Sequence, residues 1–313
     1  MQGRGWILWR LGQLLLVALG VVVIVFFLVH MLPGDPARAV LGVRASPEAI
    51  EALHQKWGLD EPLPEQLMLF FERLVQGDLG DSLLFREPVA DVIRERAGPT
   101  IWLVLLGSLF SIVIAVPLAV LGAMKRNTVY DHLTRAIPMI GFAMPPAWVG
   151  IMLILVFSLN LGWFPVGGYG EGFVGHARAM FLPSLTAALI LAPILIRSLR
   201  QSLIDELEED YVDTARTKGI SETRVVGRHA LRNAAITSVT VTGLNVGILI
   251  GSTVVIERVF ATPGIGALLV DGALSRDFPV VQGVTLVLAF AVLLVYLVTD
   301  LALLWLDPRL RTQ

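Results

Sequence analysis

The feature that most constrains this 313-residue chain is a set of six windows without a single Asp, Glu, Lys or Arg. Each window holds at least 18 residues, and together they cover 11–34, 97–124, 136–170, 179–196, 233–256 and 278–299. A helix needs roughly 20 apolar residues to cross a hydrocarbon core of ~30 Å, and only helices or closed barrels satisfy their backbone there. Because these runs lack the alternation of barrel strands, they predict an all-α integral membrane protein with six transmembrane helices.

The composition agrees with lipid as the solvent and narrows the class of partners. Hydrophobic residues make up 55% of the chain and charged residues 16%, and the mean hydropathy is +0.74. The net charge of −2 shows no basic bias, so we expect no nucleic-acid partner. The lack of cysteine excludes disulfides, thiolate metal sites and cysteine nucleophiles.

The first window admits two interpretations, a retained span or a cleaved signal peptide. Arg4 and Arg10 precede it, and Ala37-Arg38-Ala39 offers a small-x-small cleavage pattern. The apolar run over 14–32 is longer than a signal core of about 7 to 15 residues, so we expect a retained span.

The basic residues predict the orientation. An even number of spans places both termini on one side, and that side, with the second and fourth loops, holds fourteen basic residues: Arg4, Arg10, Lys125, Arg126, Arg135, Arg197, Arg200, Arg216, Lys218, Arg224, Arg228, Arg232, Arg309 and Arg311. The opposite short loops hold only Arg178, Arg258 and Arg276. The positive-inside rule therefore predicts that both termini are cytoplasmic.

The long segment 33–99 between the first two spans is predicted to be a small external subdomain, since long loops translocate regardless of their charge. Within it, Ser46 is placed to cap a helix, Pro47 suits its first turn and Gly58 can end it. We find no repeat and no second soluble domain, so residues 1–313 are expected to form one transmembrane domain.

The motifs of catalysis are missing from the sequence. None of the three lysines lies in a GK[ST] phosphate-binding loop, no GxSxG elbow occurs, and the five histidines have no paired-ligand spacing. We therefore expect no catalytic residue, no cofactor site and no metal site, which disfavours a membrane-embedded enzyme. A gradient-driven carrier is the other alternative, and the absence of charge at the span centres disfavours it.

Small and polar residues in the fifth window leave two interpretations open, helix packing and a polar translocation path. They are Gly243, Asn245, Gly247, Gly251 and Ser252, followed by Glu257. Glu257 and Asp300 lie toward span ends, where each is either an interfacial anchor that snorkels to water or a functional group.

The fourth loop, residues 200–234, carries a directional charge pattern. Acidic residues over 205–210 precede Arg216 and Lys218, which complements a helix dipole, and Gly219 can end that helix in the left-handed conformation. Ser221 can then cap a second short helix. The pattern predicts a compact knob of two helices, in which small Thr214 and Ala215 allow close approach of another protein. The alternative is that the loop only orients the chain.

The stretch DTARTKG in this loop resembles the EAA loop of ABC importer permeases, with Asp213, Thr214, Ala215 and Gly219 at its Glu, Ala, Ala and Gly. The similarity extends along nearly the whole chain, through LPGDP at 32–36, GLDEPLPEQ at 58–66, GDLGDSL at 77–83, LGWFPVGGYG at 161–170, DYVDTARTKG at 210–219, RHALRNA at 228–234, PGIG at 263–266, RDFPVVQG at 276–283 and LDPRLR at 306–311. Together these resemble the B-type permease subunit of the peptide/nickel class of importers.

The resemblance implies a binding-protein-dependent importer subunit in a bacterial or archaeal cytoplasmic membrane, working by alternating access. Its implied partners are a second related permease, two cytoplasmic ATPase subunits or domains that bind ATP and Mg, and an external substrate-binding protein. The implied cargo is a di- or oligopeptide, with nickel chelates, glutathione and oligosaccharides as alternatives. The knob would be the coupling helix seated on the ATPase, through Tyr211, Asp213, Thr214, Ala215, Arg216, Lys218, Gly219 and Ser221.

The sequence departs from the family pattern in three places. The EAA glutamate and first alanine are Asp213 and Thr214 here. The proline that often follows RNA is absent, with Ala235, Ile236 and Thr237 there instead, and Tyr296 stands where relatives often have asparagine.

Overall fold

The computed structural model describes residues 2–31, 45–57 and 60–306. The expectations that concern the cleavage pattern at 37–39, the LPGDP motif, Gly58 and the basic residues after 306 lie outside these ranges. Within them, the chain is helical, and the only β-pairing is an isolated antiparallel bridge between Asp81 and Pro88.

The described helices are α1 (Gln2–Met31), α2 (Pro47–Trp57), α3 (Leu63–Val75), α4 (Val89–Met124), α5 (Val129–Ala143), α6 (Pro146–Asn160), α7 (Gly172–Leu207), α8 (Asp210–Thr217), α9 (Glu222–Val259), α10 (Ile265–Ser275) and α11 (Phe278–Leu306). Two of them contain π-helical turns, Ile154–Asn160 in α6 and Val225–Ala230 in α9. The predicted start of α2 is confirmed, because the Ala49 amide donates to Ser46 Oγ at 3.3 Å.

Among the residues that the structure describes, four helices, α4, α7, α9 and α11, are long and apolar enough to cross a membrane. The pair α5 and α6 makes a fifth span if it is counted as one. The first window falls in α1, whose apolar stretch over Gly12–Phe27 is shorter. The all-α prediction is confirmed, while the count of six spans stays a prediction.

The third window is bent at its pair of adjacent prolines. α5 and α6 meet at an angle of 102°. Met144 and Pro145 between them are extended, with ψ of 140° and 137°. The cause is the Pro145-Pro146 pair, since a residue that precedes proline is driven out of the helical region.

The described residues divide into two compact units, and the first combines the chain up to Gly98 with Pro263–Leu293. Its core packs the start of α4 against α10 and the start of α11, through Val89, Leu268, Val280 and others. Asp277, at the N-terminus of α11, is fully buried. Its Oδ2 accepts hydrogen bonds from the Ser82 hydroxyl at 2.7 Å and from the amides of Leu83 and Leu84 at 2.8 and 3.0 Å. One carboxylate thus fixes the loop before α4 to the start of α11.

The second unit contains Pro99–Thr262 and the chain from Leu294 onward. α7 is its central helix: 72% of its apolar window is buried, compared with 28% for α4 and 33% for α9. Leu182, Leu191 and Leu195 are almost completely buried against neighbouring helices. α7 therefore connects the interior of this unit directly to the loop that begins at its C-terminal end.

Candidate functional site

The predicted knob is present, and we use this name for residues 210–224. α8 begins with Asp210 and Asp213 in its first turn and has Arg216 in its last. Gly219 follows with φ of +77°, the left-handed conformation that the sequence predicted. The Ile220 amide donates to the Ala215 carbonyl at 3.2 Å, and the Gly219 amide donates to the Arg216 carbonyl at 2.9 Å. These two bonds form a Schellman motif, which closes the C-terminus of α8.

The second element of the knob differs from the expected separate short helix. The turn at Glu222–Arg224 runs without interruption through the π-helical turn into the long helix α9. Ser221 precedes the first helical residue as predicted, and its carbonyl accepts from the amides of Arg224 and Val225 at 2.8 and 3.0 Å. Its hydroxyl makes no capping hydrogen bond. α8 is therefore packed directly on the first turns of α9.

A small apolar core holds α8 on α9. Val212, Ala215 and Val225 are buried together, with Leu207 and Ile220 packed against them. Ala215 is only 7% exposed, so the expectation that it offers a small outer surface to another protein is wrong. Its small size serves instead the close contact of α8 with α9. Thr214, the other small residue of the motif, is exposed.

Arg216 joins the two sides of the glycine turn. Its Nη2 and Nε donate to the Glu222 carboxylate at 2.9 and 3.3 Å, and its Nη1 donates to Asp213 Oδ1 at 3.2 Å. The hydrogen bonds to Glu222, more than those to Asp213, raise the pKa of Arg216. Because this fork spans the turn, it restrains the angle between α8 and the start of α9.

Tyr211 ties the start of α8 to both flanking helices. Its hydroxyl donates to Glu206 Oε2 at 2.5 Å, and Asn233 Nδ2 donates to the Tyr211 hydroxyl at 3.1 Å and to Glu206 at 3.2 Å. Burial, followed by the hydrogen bond to Glu206, raises the pKa of Tyr211 to about 12. α7, α8 and α9 are thus joined at one polar network.

The exposed surface of the knob carries charge of both signs. The Asp213 side chain is 72% exposed, and Thr214, Lys218, Gly219 and Ser221 are also exposed. Beneath it, a cavity of about 220 Å³ is lined by Leu207, Arg216 and Glu222 with residues of α4 and α7. The knob thus presents a polar outer face on a base that is held by apolar packing and ion pairs.

The glycines predicted in the fifth window have two different surroundings. A Cβ on Gly243 would lie 2.2 Å from Thr299 Oγ1, and a Cβ on Gly247 would lie 2.8 Å from the Tyr296 hydroxyl. Both positions therefore serve the close packing of α9 against α11. Gly251 is exposed with nothing within 4 Å, and the Ser252 hydroxyl donates to the Ile248 carbonyl within its own helix. The structure separates these residues and does not bring them together in one site.

Asn245 and Glu257 are buried polar groups between helices. Asn245 Nδ2 donates to the Leu191 carbonyl of α7 at 3.3 Å. Glu257 is fully buried and accepts a hydrogen bond from the Thr100 hydroxyl of α4 at 2.6 Å. Glu257 is therefore not the snorkelling anchor that one of our two interpretations assigned to it. No group of three or more His, Asp and Glu side chains in the described part of the chain could hold a metal ion.

One buried ion pair was not found by sequence reasoning. Arg200 Nε and Nη2 donate to the two carboxylate oxygens of Asp131 at 2.6 and 2.7 Å, and both residues are buried. Both residues flank charge-free windows, where a buried charge requires a partner, but they are 69 positions apart. The sequence alone could not pair them.

The comparisons with known proteins identify the family. Residues 111–312 match the model for the binding-protein-dependent transport system inner membrane component, and residues 5–104 match the N-terminal model for the membrane component of the same systems. The chain belongs to this family. It is 42% identical over 289 residues to the glutathione transport system permease protein GsiC of Escherichia coli strain K12, over 92% of this chain and 93% of that protein. The same values hold for GsiC of Shigella flexneri serotype 5b strain 8401.

The fold is similar to that of a chain in a solved ABC transporter. One chain of the MetNI methionine ABC transporter, in an inward-facing conformation, matches with a TM-score of 0.59 and 17% sequence identity. The match covers 69% of this chain and 96% of the other.

Family membership confirms the resemblance found in the sequence. The protein is a multi-pass permease subunit of an ATP-driven, binding-protein-dependent importer of the inner membrane. Subunits of this family have no ATPase site of their own, and ATP is hydrolysed by partner subunits. The relatives do not by themselves assign a role to the knob.

Proposed function

We propose that the knob is the surface through which a cytoplasmic ATPase subunit drives this permease. The observation that supports this role is the combination of an exposed outer face with a rigid base. Two residues separate α8 from α7, and α9 starts within the knob itself. A force on the knob would therefore reach two long helices without passing through a flexible segment.

The proposed contact consists of the exposed residues Tyr211, Asp213, Thr214, Arg216, Lys218, Gly219 and Ser221. The mixed charge of this face fits a polar groove of a partner better than an apolar one. Ala215 contributes from beneath, by holding α8 against α9. In this proposal Arg216 has two tasks, since it borders the contact and restrains the turn.

The orientation follows from the same proposal. The knob and both termini face the cytoplasm, in agreement with the excess of Lys and Arg on that side. A second related permease completes the path, two ATPase subunits bind ATP and Mg, and an external binding protein delivers the substrate. ATP acts because it binds the inward-open and the outward-open state of the complex with different affinities.

For the cargo we propose a short peptide, with glutathione as the first candidate. The support is the 42% identity to proteins named as glutathione permeases, over almost the whole chain. Nickel chelates and oligosaccharides are the alternatives. The ligand retained by the external binding protein, when that protein is purified and analysed by mass spectrometry, distinguishes these classes.

For the path, Gly251 and Ser252 are the proposed contributors. Gly251 is exposed and has open space beside it, and Ser252 is half-buried. The space beside Gly243 and Gly247 is filled by side chains of α11, which leaves no room there for a substrate. Glu257 and Asn245, both buried between helices, position α9 in this account.

A glycine series tests the role of the knob. Gly219→Val forces a β-branched residue into the left-handed region, which costs about 1–3 kcal/mol and distorts the turn. In the purified complex in proteoliposomes, we expect substrate-stimulated ATP hydrolysis and transport to fall together by about tenfold, the equivalent of 1.4 kcal/mol. Gly219→Asn should retain most activity, because asparagine tolerates this conformation.

The matched control is Gly227→Val. Gly227 is exposed, has no atom within 4 Å of an added Cβ, and lies in a helical conformation. The same substitution should therefore leave both activities near wild type. Full stimulated hydrolysis in the Gly219→Val complex would contradict the proposed role of the knob.

A further inference from the structure

The buried ion pair of Asp131 and Arg200 lies where three helices of the second unit meet. Asp131 belongs to the first turn of α5, and Arg200 lies about two turns before the end of α7. A Cβ on Gly122, near the end of α4, would lie 2.7 Å from Thr134 Oγ1 and 3.2 Å from Arg200 Cδ. The ends of α4, α5 and α7 are therefore closely packed around one pair of charges.

Both carboxylate oxygens of Asp131 accept hydrogen bonds. Its two oxygens accept the fork of Arg200, and Oδ2 also accepts the Asn127 amide at 3.0 Å. Arg135 lies 3.5 Å from Oδ1 on the more exposed side. A two-bond fork of this kind fixes orientation as well as distance, which a single hydrogen bond does not.

Stability alone is a weak reason for such a pair. Replacing a buried ion pair with apolar residues of similar volume is often neutral or stabilising, whereas removing one partner leaves a costly buried charge. A directional restraint between helices is a role that apolar packing supplies less well. The position of Arg200 indicates where this restraint acts, because the same helix ends at the knob.

We propose that Asp131 and Arg200 are positioning residues that make α5 and the end of α4 move as one body with α7 and the knob. This inference rests on the proposed function of the knob. Motion of the knob reaches Arg200 along the continuous backbone of α7, and the fork passes it to α5, the first half of the bent pair. A second ion pair, between Arg126 after α4 and Glu208 after α7, also connects these two helix ends. It is exposed, so salt screens it, whereas the buried pair of Asp131 and Arg200 is screened much less.

The absence of native cysteine allows a direct test of rigidity. Leu133→Cys on α5 and Gln201→Cys on α7 place spin labels at exposed positions on the two helices. In the reconstituted full complex, we expect the same distance distribution between the labels without nucleotide and with ATP under non-hydrolysing conditions. A shift of that distribution with ATP in the otherwise wild-type complex would overturn the proposal.

The double variant Asp131→Leu, Arg200→Met tests the consequence for transport. It removes both charges together, and we expect the complex to assemble and hydrolyse ATP. Substrate transported per ATP should fall about fivefold or more, the lower end of typical coupling between sites, and the label distribution should broaden. A wild-type transport ratio would overturn the proposal, and if the variant fails to assemble, the label distances in the wild-type background still decide it.

The two proposals fail in different ways. If Gly219→Val leaves transport and stimulated ATP hydrolysis unchanged, the knob is not the ATPase contact, whatever the distances between the spin labels show. If Gly219→Val lowers transport and stimulated ATP hydrolysis, but the double variant keeps the wild-type ratio of substrate transported per ATP, only the rigid link through Asp131 and Arg200 is ruled out.

Discussion

Individual side chains of the knob have structural roles that the sequence motif did not reveal. Ala215 and Thr214 are both small and adjacent in the sequence, but Ala215 is buried against Val225 while Thr214 is exposed. Arg216, two positions before Lys218 in the sequence, is held by two carboxylates of its own chain. The motif therefore combines residues that build the knob with residues that it presents.

Tyr211 gives a prediction about pH. Its folded-state pKa of about 12 lies above the ordinary value of about 10, so folding favours the neutral phenol. The contribution of this group to stability is fully present below pH ~10 and is lost as the pH rises through ~12. We expect the network of Tyr211, Glu206 and Asn233 to be insensitive to pH throughout the neutral range.

The measurement is an absorbance titration of tyrosine in the wild type and in Tyr211→Phe. The chain has four tyrosines, and the variant should lose the phenol that ionises near pH 12. If the signal that disappears is one that titrates near pH 10 instead, the hydrogen-bonded network of Tyr211, Glu206 and Asn233 does not exist in solution.

At the scale of helices, the packing of α9 on α11 depends on particular glycines. Gly243→Ala places a methyl group 2.2 Å from Thr299 Oγ1, and overpacking of this kind costs about 1–3 kcal/mol. We expect the thermal unfolding midpoint in detergent to fall by about 2–4 °C per kcal/mol lost. Gly251→Ala is the control, because nothing lies within 4 Å of its added methyl group. Equal midpoints for the two variants would show that α9 and α11 do not pack in this way.

The loop before α4 depends on one carboxylate of α11. Asp277→Ala would leave the buried Ser82 hydroxyl and the partly buried amides of Leu83 and Leu84 without their acceptor, and the loss costs about 1–3 kcal/mol for a donor as buried as Ser82. We expect hydrogen exchange at these two amides to accelerate about tenfold or more. The control Asp91→Ala removes an exposed carboxylate with a weak partner and should leave both rates unchanged. Unchanged exchange in Asp277→Ala would contradict the assigned hydrogen bonds.

Much of the helix pattern could be predicted from local signals. Charge-free length located α4, α7, α9 and α11, and a capping residue with a following proline located the start of α2. The 102° bend between α5 and α6 could not be read in the same way, since Pro145-Pro146 marks a break without its direction. The continuity of the knob with α9 was also missed, because a capping residue at Ser221 indicates where a helix starts and not where it ends.

The candidate functional residues also divide into those with a local sequence signal and those whose role depends on distant segments. Gly219 was predictable because the backbone conformation it adopts is a local property. The partners of Glu257, Arg200 and Gly243 could not be predicted, because each partner lies at least 56 positions away in the sequence. Packing between distant segments decides whether a polar or small residue is structural or available to a ligand.

The molecule as a whole is a permease subunit, and ATP hydrolysed by partner subunits supplies the energy. The sequence has no GK[ST] phosphate-binding loop, and the family consists of membrane components of binding-protein-dependent systems. The described residues place one exposed, internally braced segment between the two long helices α7 and α9. In this account, that segment is where ATP-driven motion enters the chain.

The most direct test of this claim is a cross-link from the knob to the ATPase. Thr214→Cys introduces the only cysteine at an exposed position of the knob, and Val75→Cys introduces the only one on α3, where the side chain is 86% exposed. With a short photoactivated reagent on each, in the assembled complex, we predict that the knob position cross-links to the ATPase subunit and the α3 position does not. An ATPase that cross-links equally to both positions, or to neither, would contradict the account.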